Sequence, residues 1–539
     1  MSVAKLESTA MITGEMLIGS GTVRGTEGKL RAINPVTGEE LDPEFGAGTK
    51  SDVDAACSLA EEAFNPFRAM PLEKRAQFLE AIAQGILDLG DALIERVMAE
   101  SGLPRPRVEG ERGRTVSQLR LFASLVRDGR WLNATIDRAL PERKPLPRVD
   151  LRSQTIPLGP VAVFSASNFP LAFSVAGGDT ASAFAAGCPV VAKSHSSHLG
   201  TSEMVGRAVQ KAVKDCGMPE GTFSLLVGGG SSVGEALVKH PAIQAVGFTG
   251  SRKVGRHLVA IAAAREVPIP VYAEMSSINP VFLLPGALAE RAEKIGQGLI
   301  DSVTLGTGQF CTKPGVVIGV AGANFDRFLA AAQTAVEAKM ATTMLNPTIH
   351  KAYCQGTAHW SGIASLRPLS AGGAAMPGSY AGQPMIFGVS AKDFMASPEL
   401  LDEVFGPAAL LVECVDVDEL RGVARYVNGQ LTATLHMAKG DTELARELVP
   451  VLERKAGRLL VNGFPTGVEV TYAMVHGGPS PSTSDGRVTS VGAMAIERFL
   501  RPVCYQDFPA DLLPEALQES NPLHLWRLVE GKLQPDVHE

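Results

Sequence analysis

Gly159-Pro-Val-Ala-Val-Phe164 reads as a short apolar strand entered from a turn, and Phe173 to Ala186, rich in small residues, reads as the helix that follows it. The alternation then repeats. Pro189-Val-Val-Ala-Lys193 predicts a buried strand, Thr201 to Cys216 a helix, and Phe223-Ser-Leu-Leu-Val227 a strand. A helix after Ser231-Ser232 reaches Lys239, Ala242 to Gly247 is extended, Gly250-Ser251 opens a helix through Ala264, and Pro270-Val-Tyr-Ala-Glu274 is extended again. Brief strands separated by longer helices predict a parallel sheet with right-handed crossovers, a doubly wound α/β domain of the dinucleotide-binding type. Such a sheet takes its ligand at the carboxyl ends of its strands, with phosphate at a helix N-terminus.

On the N-terminal side, residues 1–50 are turn-rich and suggest surface strands, and Ser51 is the expected cap of a helix stopped by Asn65-Pro66. Residues 72–101 predict one long amphipathic helix. A third helix, residues 110–128, carries Val116, Leu119, Phe122, Ala123 and Val126 on one face. From Thr135 to Arg152 the chain is Pro- and charge-rich, as expected of extended bridging strands. Beyond Cys311 mixed α/β structure returns, with strands at Val317–Gly319, Pro384–Val389, Leu410–Glu413 and Leu459–Asn462 and helices at 323–338 and 441–455. The expected division is a dinucleotide-binding domain of residues 1–134 and 156–283, a catalytic domain of 284–488, bridging strands of 135–155 and 489–508, and an extension, 509–539, without an assigned role.

Composition narrows the partners. Lys+Arg of 50 against Asp+Glu of 57, with no basic block, argues against nucleic acid, and no apolar run is long enough for a membrane span. The opening Met-Ser-Val-Ala-Lys-Leu-Glu has no apolar signal core, and seven scattered cysteines suit a reducing cytoplasm. One of them stands apart. Gly306-Thr-Gly-Gln-Phe-Cys-Thr-Lys-Pro-Gly315 sets Cys311 in a Gly-rich turn with no metal-ligand spacing nearby, so no metal is expected. A bare thiol beside flexible backbone suits a nucleophile, although a lone buried cysteine is the plainer reading. No GxGxxG follows the first strand; Gly247-Phe-Thr-Gly-Ser-Arg-Lys-Val-Gly255 offers instead Gly250 and Ser251 at a helix mouth.

Taken in order, Ser167-Asn-Phe-Pro170, Lys193, Phe248-Thr-Gly-Ser251, Tyr272-Ala-Glu-Met-Ser-Ser-Ile-Asn-Pro280, Gly308-Gln-Phe-Cys311 and Glu403-Val-Phe-Gly-Pro407 resemble the NAD(P)-dependent aldehyde dehydrogenase family over nearly the whole chain. The resemblance implies an aldehyde substrate, with Cys311 as nucleophile, Asn168 and the Cys311 amide as oxyanion hole, and Glu274 as the base that activates water. It implies NADP or NAD held by Lys193, Ser196, Gly250, Ser251, Glu403 and Phe405. The segment Thr489 to Phe508 would return to the bridging strands and reach a neighbouring subunit, which implies a homodimer or homotetramer. Two departures matter. Met275-Ser-Ser-Ile278 replaces the family's usual glycines and lysine after the base, so that loop must be held differently. Ser196 stands where NAD-preferring members often carry glutamate, leaving room for the extra phosphate of NADP.

Glu274-Met-Ser-Ser, Phe310-Cys-Thr-Lys-Pro-Gly and Asn462-Gly-Phe-Pro-Thr-Gly resemble a narrower branch that includes α-ketoglutaric semialdehyde (2,5-dioxopentanoate) dehydrogenases and an NADP-linked fatty aldehyde dehydrogenase. A substrate with a carboxylate needs a cation at the far end of its tunnel, and matching the third helix to the family's tunnel-lining helix turns Arg114 inward. Phe169, Ala172, Ala176 and Phe464 would line the same tunnel. His195 and His198 are expected in a surface loop. The rivals are a CoA-acylating dehydrogenase, a catalytically silent relative and a cofactor-free cysteine hydrolase, the last disfavoured because the sequence shows no histidine partner for Cys311.

Overall fold

The computed structural model describes residues 11–535. The amino-terminal Met-Ser-Val-Ala-Lys-Leu-Glu and the last four residues of the extension lie outside them. The first sheet runs, edge to edge, Val271–Glu274, Ala245–Thr249, Val161–Phe164, Val190–Lys193, Phe223–Leu226, Met16–Ile18 and Gly21–Val23; the first five strands are parallel and the last two antiparallel. Strand order reverses between Val161–Phe164 and Ala245–Thr249, where Phe164 lies in register with Phe248. The crevice of a doubly wound sheet opens at such a reversal. Met16–Ile18 is fully buried in this sheet rather than a surface strand, because it covers the edge of Phe223–Leu226.

Helices Leu72–Asp88, Arg105–Asp128, Gly178–Ala186 and Leu199–Asp215 cover one face, and Phe67, Phe78, Phe184 and Phe223 meet edge-on in the core between them. Burying each ring contributes roughly 1.5–3 kcal/mol and holds Lys50–Arg68, Leu72–Asp88 and Gly178–Ala186 against the strand Phe223–Leu226. Residues 72–101 form two helices instead of one, because Gly90 takes φ +58° and breaks the run before Gly90–Ser101. The cap of Lys50–Arg68 is Thr49, whose hydroxyl and Asp52 form a capping box, and Pro66 is accommodated in that helix's last turn.

The second sheet runs Arg367–Ala371, Met385–Ser390, Ala408–Cys414, Val316–Val320, Val281–Leu283, Gln430–His436 and Ala456–Val461, all parallel except the first. Val281 thus pairs with Val317, and the second sheet begins slightly before the boundary expected at residue 284. A third, five-stranded sheet joins Leu500–Gln506, Leu151–Pro157, Thr135–Asp137, Arg527–Val529 and Lys532–Gln534. Of the segment 489–508 only Leu500–Gln506 lies in it. Ala493, Ala495, Ile496 and Phe499 sink into the first core instead, because they are apolar and that core has room beside Gly178–Ala186. The extension folds back on its own chain: Leu513, Ala516, Leu517 and Leu525 join the same core, and Arg138 and Arg152 both pair with Glu519.

Candidate active site

Backbone geometry delivers the thiol. Gly306, Thr307 and Gly308 are consecutive left-handed residues, and a side chain at Gly308 would strike the Gly406 carbonyl at 2.4 Å. Thr307 is strained at φ +58°, and its hydroxyl is tied to Thr342 and to the Thr343 carbonyl. The turn carries Cys311 to a half-buried position beside the reversal in the first sheet. Asn279 Nδ2 donates to the Cys311 carbonyl at 2.8 Å and to the Lys313 carbonyl at 2.9 Å, fastening the thiol's loop to the one that bears Glu274.

The Glu274 loop, lacking the usual glycines and lysine, is held by Gln430 of the second sheet. Its Oε1 accepts from the Ile278 amide at 2.8 Å, the Asn279 amide at 3.2 Å and the Ser277 hydroxyl at 2.9 Å. Across the crevice, Asn168 Nδ2 donates to the Gln309 carbonyl at 3.1 Å, leaving a second amide hydrogen. The Asn168 loop is anchored by buried Glu111, whose Oε1 accepts from the Leu171 and Ala172 amides at 2.8 and 3.0 Å.

A residue that sequence reading missed completes the centre. His476 Nε2 lies 3.3 Å from Cys311 Sγ and 2.8 Å from Glu274 Oε1, while the Ser490 hydroxyl donates to Glu274 Oε2 at 2.6 Å. The expectation that Cys311 has no histidine partner is therefore wrong. The two glycines after His476 are structurally required, since a side chain at Gly477 would meet the Val488 carbonyl at 2.5 Å and Gly478 takes φ +152°, but nothing in the sequence ties them to Cys311. Burial alone would push the Glu274 carboxyl up, but the imidazole and hydroxyl donors outweigh it and hold it below the ordinary value. Burial, reinforced by Glu274, pushes the Cys311 thiol well up, so the resting sulfur keeps its proton and needs a base to lose it.

Cys311, Glu274 and Asn168 open onto a cavity of ≈ 820 Å³, whose walls also include Lys193, His195, Gly250, Ser251, Glu403 and Phe405. The Ser251 side chain caps helix Arg252–Ala263, so a helix N-terminus faces the cavity. Ser196 is exposed and absent from that wall; the turn of the loop brings in His195 instead. His198 is not a surface residue, and His195 is half-buried on the cavity wall. Burial pushes the His195 imidazole down to about 3, and His198 is buried against the Ala166 carbonyl at 2.8 Å.

Whether the cavity suits a dinucleotide is decided by its unsatisfied groups. Glu403 Oε1 is buried without a partner, and burial pushes its carboxyl up to about 7, partly offset by Lys313. Lys193, pushed down to about 8 by burial, spends one donor on the Ser194 carbonyl at 3.1 Å and has others left. An acceptor suited to ribose hydroxyls, a cation beside the adenosine end and a helix mouth for the pyrophosphate all fit NADP or NAD.

Arg114 turns inward. Its guanidinium lies 5.2 Å from the Phe169 ring centre and 5.1 Å from that of Phe173, and its Nε and Nη2 are buried without partners. Burial lowers its pKa, though a guanidinium stays charged. Phe169, Ala172, Phe173, Phe310 and Val491 form one apolar cluster around it. Phe464 is not in that cluster. Its ring packs against Gly298 of helix Pro285–Thr304 and lies 4.9 Å from the His436 ring, because the loop after strand Ala456–Val461 turns toward the second sheet's core. Ala176 likewise belongs to the first core rather than the tunnel.

A doubly wound cofactor sheet, a second parallel sheet that presents a thiol, and a paired carboxylate between them define an aldehyde dehydrogenase. The chain belongs to the Aldehyde dehydrogenase family, whose model it matches over residues 22–502. It is 61% identical to alpha-ketoglutaric semialdehyde dehydrogenase 2 of Azospirillum brasilense, over 97% of this chain and 100% of that one. It is 47% identical to alpha-ketoglutaric semialdehyde dehydrogenase of Acinetobacter baylyi, over 96% and 98%. Among solved structures, 1-pyrroline-5-carboxylate dehydrogenase from Thermus with bound NAD matches with a TM-score of 0.77 at 21% identity, over 93% of this chain and 94% of that one, a likeness of fold. No helix among the described residues is long and apolar enough to cross a membrane.

Proposed function

We propose that this enzyme oxidises α-ketoglutaric semialdehyde (2,5-dioxopentanoate) to 2-oxoglutarate with NADP or NAD. Cys311 Sγ adds to the aldehyde carbon while its proton passes to the Glu274 carboxylate, which His476 Nε2–H holds in place at 2.8 Å. The free Asn168 amide hydrogen and the Cys311 N–H receive the oxyanion, a donor pair of which each member contributes about 3 kcal/mol. The bound nicotinamide cofactor supplies the hydride acceptor, with Glu403 and Phe405 at its ribose and ring and Lys193 at its adenosine end. Glu274 then takes a proton from the water that hydrolyses the Cys311 thioester.

The single observation that carries the substrate reading is Arg114: its free Nε and Nη2 are the side-by-side donors that grip a carboxylate bidentately, beside the Phe169 and Phe173 rings and with a second guanidinium, Arg107, stacked on Phe169. A fatty aldehyde would leave that buried cation uncompensated, at a cost of several kcal/mol. His476 removes the earlier objection to a cofactor-free cysteine hydrolase, and family membership is what sets that reading aside. We place the reaction in the cytoplasm, where the seven free cysteines stay reduced, and read Leu500–Gln506, an edge strand, as the contact of a homodimer or homotetramer. With 2,5-dioxopentanoate and NADP, the wild type forms reduced cofactor and acid in equal amounts and Cys311→Ala forms none. Turnover by Cys311→Ala would overturn the proposal.

A further inference from the structure

Glu274, Cys311 and His476 bring one oxygen, one sulfur and one nitrogen donor within 4.8 Å of one another. We propose that these three side chains form a reversible inhibitory site for a divalent cation of the zinc type. The inference rests on the placement of the three groups in the proposed active site and not on the identity of the aldehyde.

The donor set is the one a borderline-soft cation selects. Thiolate, imidazole and carboxylate suit Zn²⁺ or Co²⁺ in tetrahedral geometry, whereas Mg²⁺ and Ca²⁺ need about six or more oxygens, and the site offers one carboxylate. Bonds of about 2.3 Å to sulfur and about 2.0–2.2 Å to nitrogen and oxygen place tetrahedral donors roughly 3.2–3.6 Å apart. The Sγ–Nε2 distance is 3.3 Å, the Nε2–Oε1 distance 2.8 Å and all three donors lie within 4.8 Å, so side-chain shifts of about an ångström or less admit the ion. Glu274 and Cys311 both line the cavity, which gives the ion a way in and leaves its fourth position to water. Ser490 holds the other carboxylate oxygen at 2.6 Å, and Thr489 Oγ1 holds the His476 amide at 2.8 Å. The Ser490 contact fixes the orientation of the carboxylate ligand, whereas the other ring nitrogen of His476, Nδ1, is buried without a partner.

Binding replaces the thiol proton: the S–H bond breaks, a sulfur–metal bond forms and one proton goes to solvent, with no change of oxidation state. Thiolate and carboxylate together neutralise the ion. The nucleophile, the base and the imidazole that holds the base are taken up at once, so the metal and the aldehyde exclude each other. The exposed pair His350 and Cys354, with Nε2 and Sγ 3.4 Å apart on helix Pro347–Gly362, is a second thiol–imidazole pair and serves as the control.

The test is anaerobic titration of the full-length enzyme with Co²⁺, whose thiolate charge-transfer band and visible spectrum report four-coordinate binding without any turnover. One equivalent per chain is expected, unchanged in Cys354→Ser, with affinity falling at least about tenfold in both His476→Asn and the near-isosteric Glu274→Gln. In parallel, Zn²⁺ should abolish aldehyde oxidation until a chelator restores it, and Mg²⁺ at the same concentration should have no effect. Absence of the thiolate band, its loss in Cys354→Ser, or an unchanged affinity in both ligand variants would overturn the proposal. Normal turnover alongside any of these results leaves the substrate reading standing.

Discussion

Glu274 and Glu403 both line one cavity, in opposite circumstances. The oxygens of Glu274 are occupied by His476 and Ser490, and its carboxyl is held below the ordinary value. Glu403 keeps one oxygen without a partner, and its carboxyl is pushed up to about 7. The reacting end is wired from within the chain, so its ionisation is set before any ligand arrives. The cofactor end is left incomplete, and the ligand supplies what is missing. A buried acceptor without a donor costs roughly 1–3 kcal/mol, which a ribose hydroxyl recovers on binding.

That contrast can be broken at several points. The largest effect is expected at the wired end: Glu274→Gln should lower kcat about 10²–10⁴-fold and leave a Cys311 thioester detectable by mass spectrometry of the intact enzyme. Unchanged kcat would show that another group activates the water. Next, Arg114→Ala should reduce kcat/KM for 2,5-dioxopentanoate by about 2 kcal/mol, roughly thirtyfold, while sparing a neutral aldehyde of equal length. A ratio that does not move removes Arg114 from the substrate site. At the incomplete end, Glu403→Gln should weaken cofactor binding by about 1.5 kcal/mol, roughly tenfold, measured by calorimetry without aldehyde.

The smallest effect is a pH dependence of the unliganded fold. The folded Glu403 carboxyl, at about 7, lies above the unfolded value, so the fold binds that proton more tightly than the unfolded chain does. Its contribution to stability is full below the unfolded value of about 4.3 and is lost as pH rises through the folded one. Between those limits the Tm of the wild type should fall by roughly a few degrees relative to Glu403→Gln, and saturating cofactor should shrink the difference. Equal slopes in the two proteins would show that the carboxylate is already satisfied.

How much of this was legible in the sequence depends on whether the signal was local. Cys311, Asn168 and Glu274 sit in short motifs whose turn chemistry and strand ends are readable residue by residue. As one of several arginines on its helix Arg114 would pass for part of a solvated face, and it was reachable only through the family resemblance, which matches that helix to a tunnel-lining one. His476 was not, since its partners lie far away in sequence and no period governs Met474-Val-His-Gly-Gly478. Phe464 and Ser196 failed for a related reason: each lies in a loop, and which way a loop side chain points is decided by the sheet beneath it. The rounding of residues 72–101 into one helix shows the same limit, where a single left-handed glycine outweighed a continuous apolar stripe.

The hairpin Arg527–Val529 and Lys532–Gln534 sits beside Thr135–Asp137, and Leu525 presses so closely on Gly129 that a methyl there would lie 2.4 Å from it. Removing the extension, residues 509–539, would therefore strip a lid from a β edge and take Leu513, Ala516, Leu517 and Leu525 out of the first core at once. For anyone preparing shortened versions, insolubility would be the first symptom, long before any question of catalysis arose.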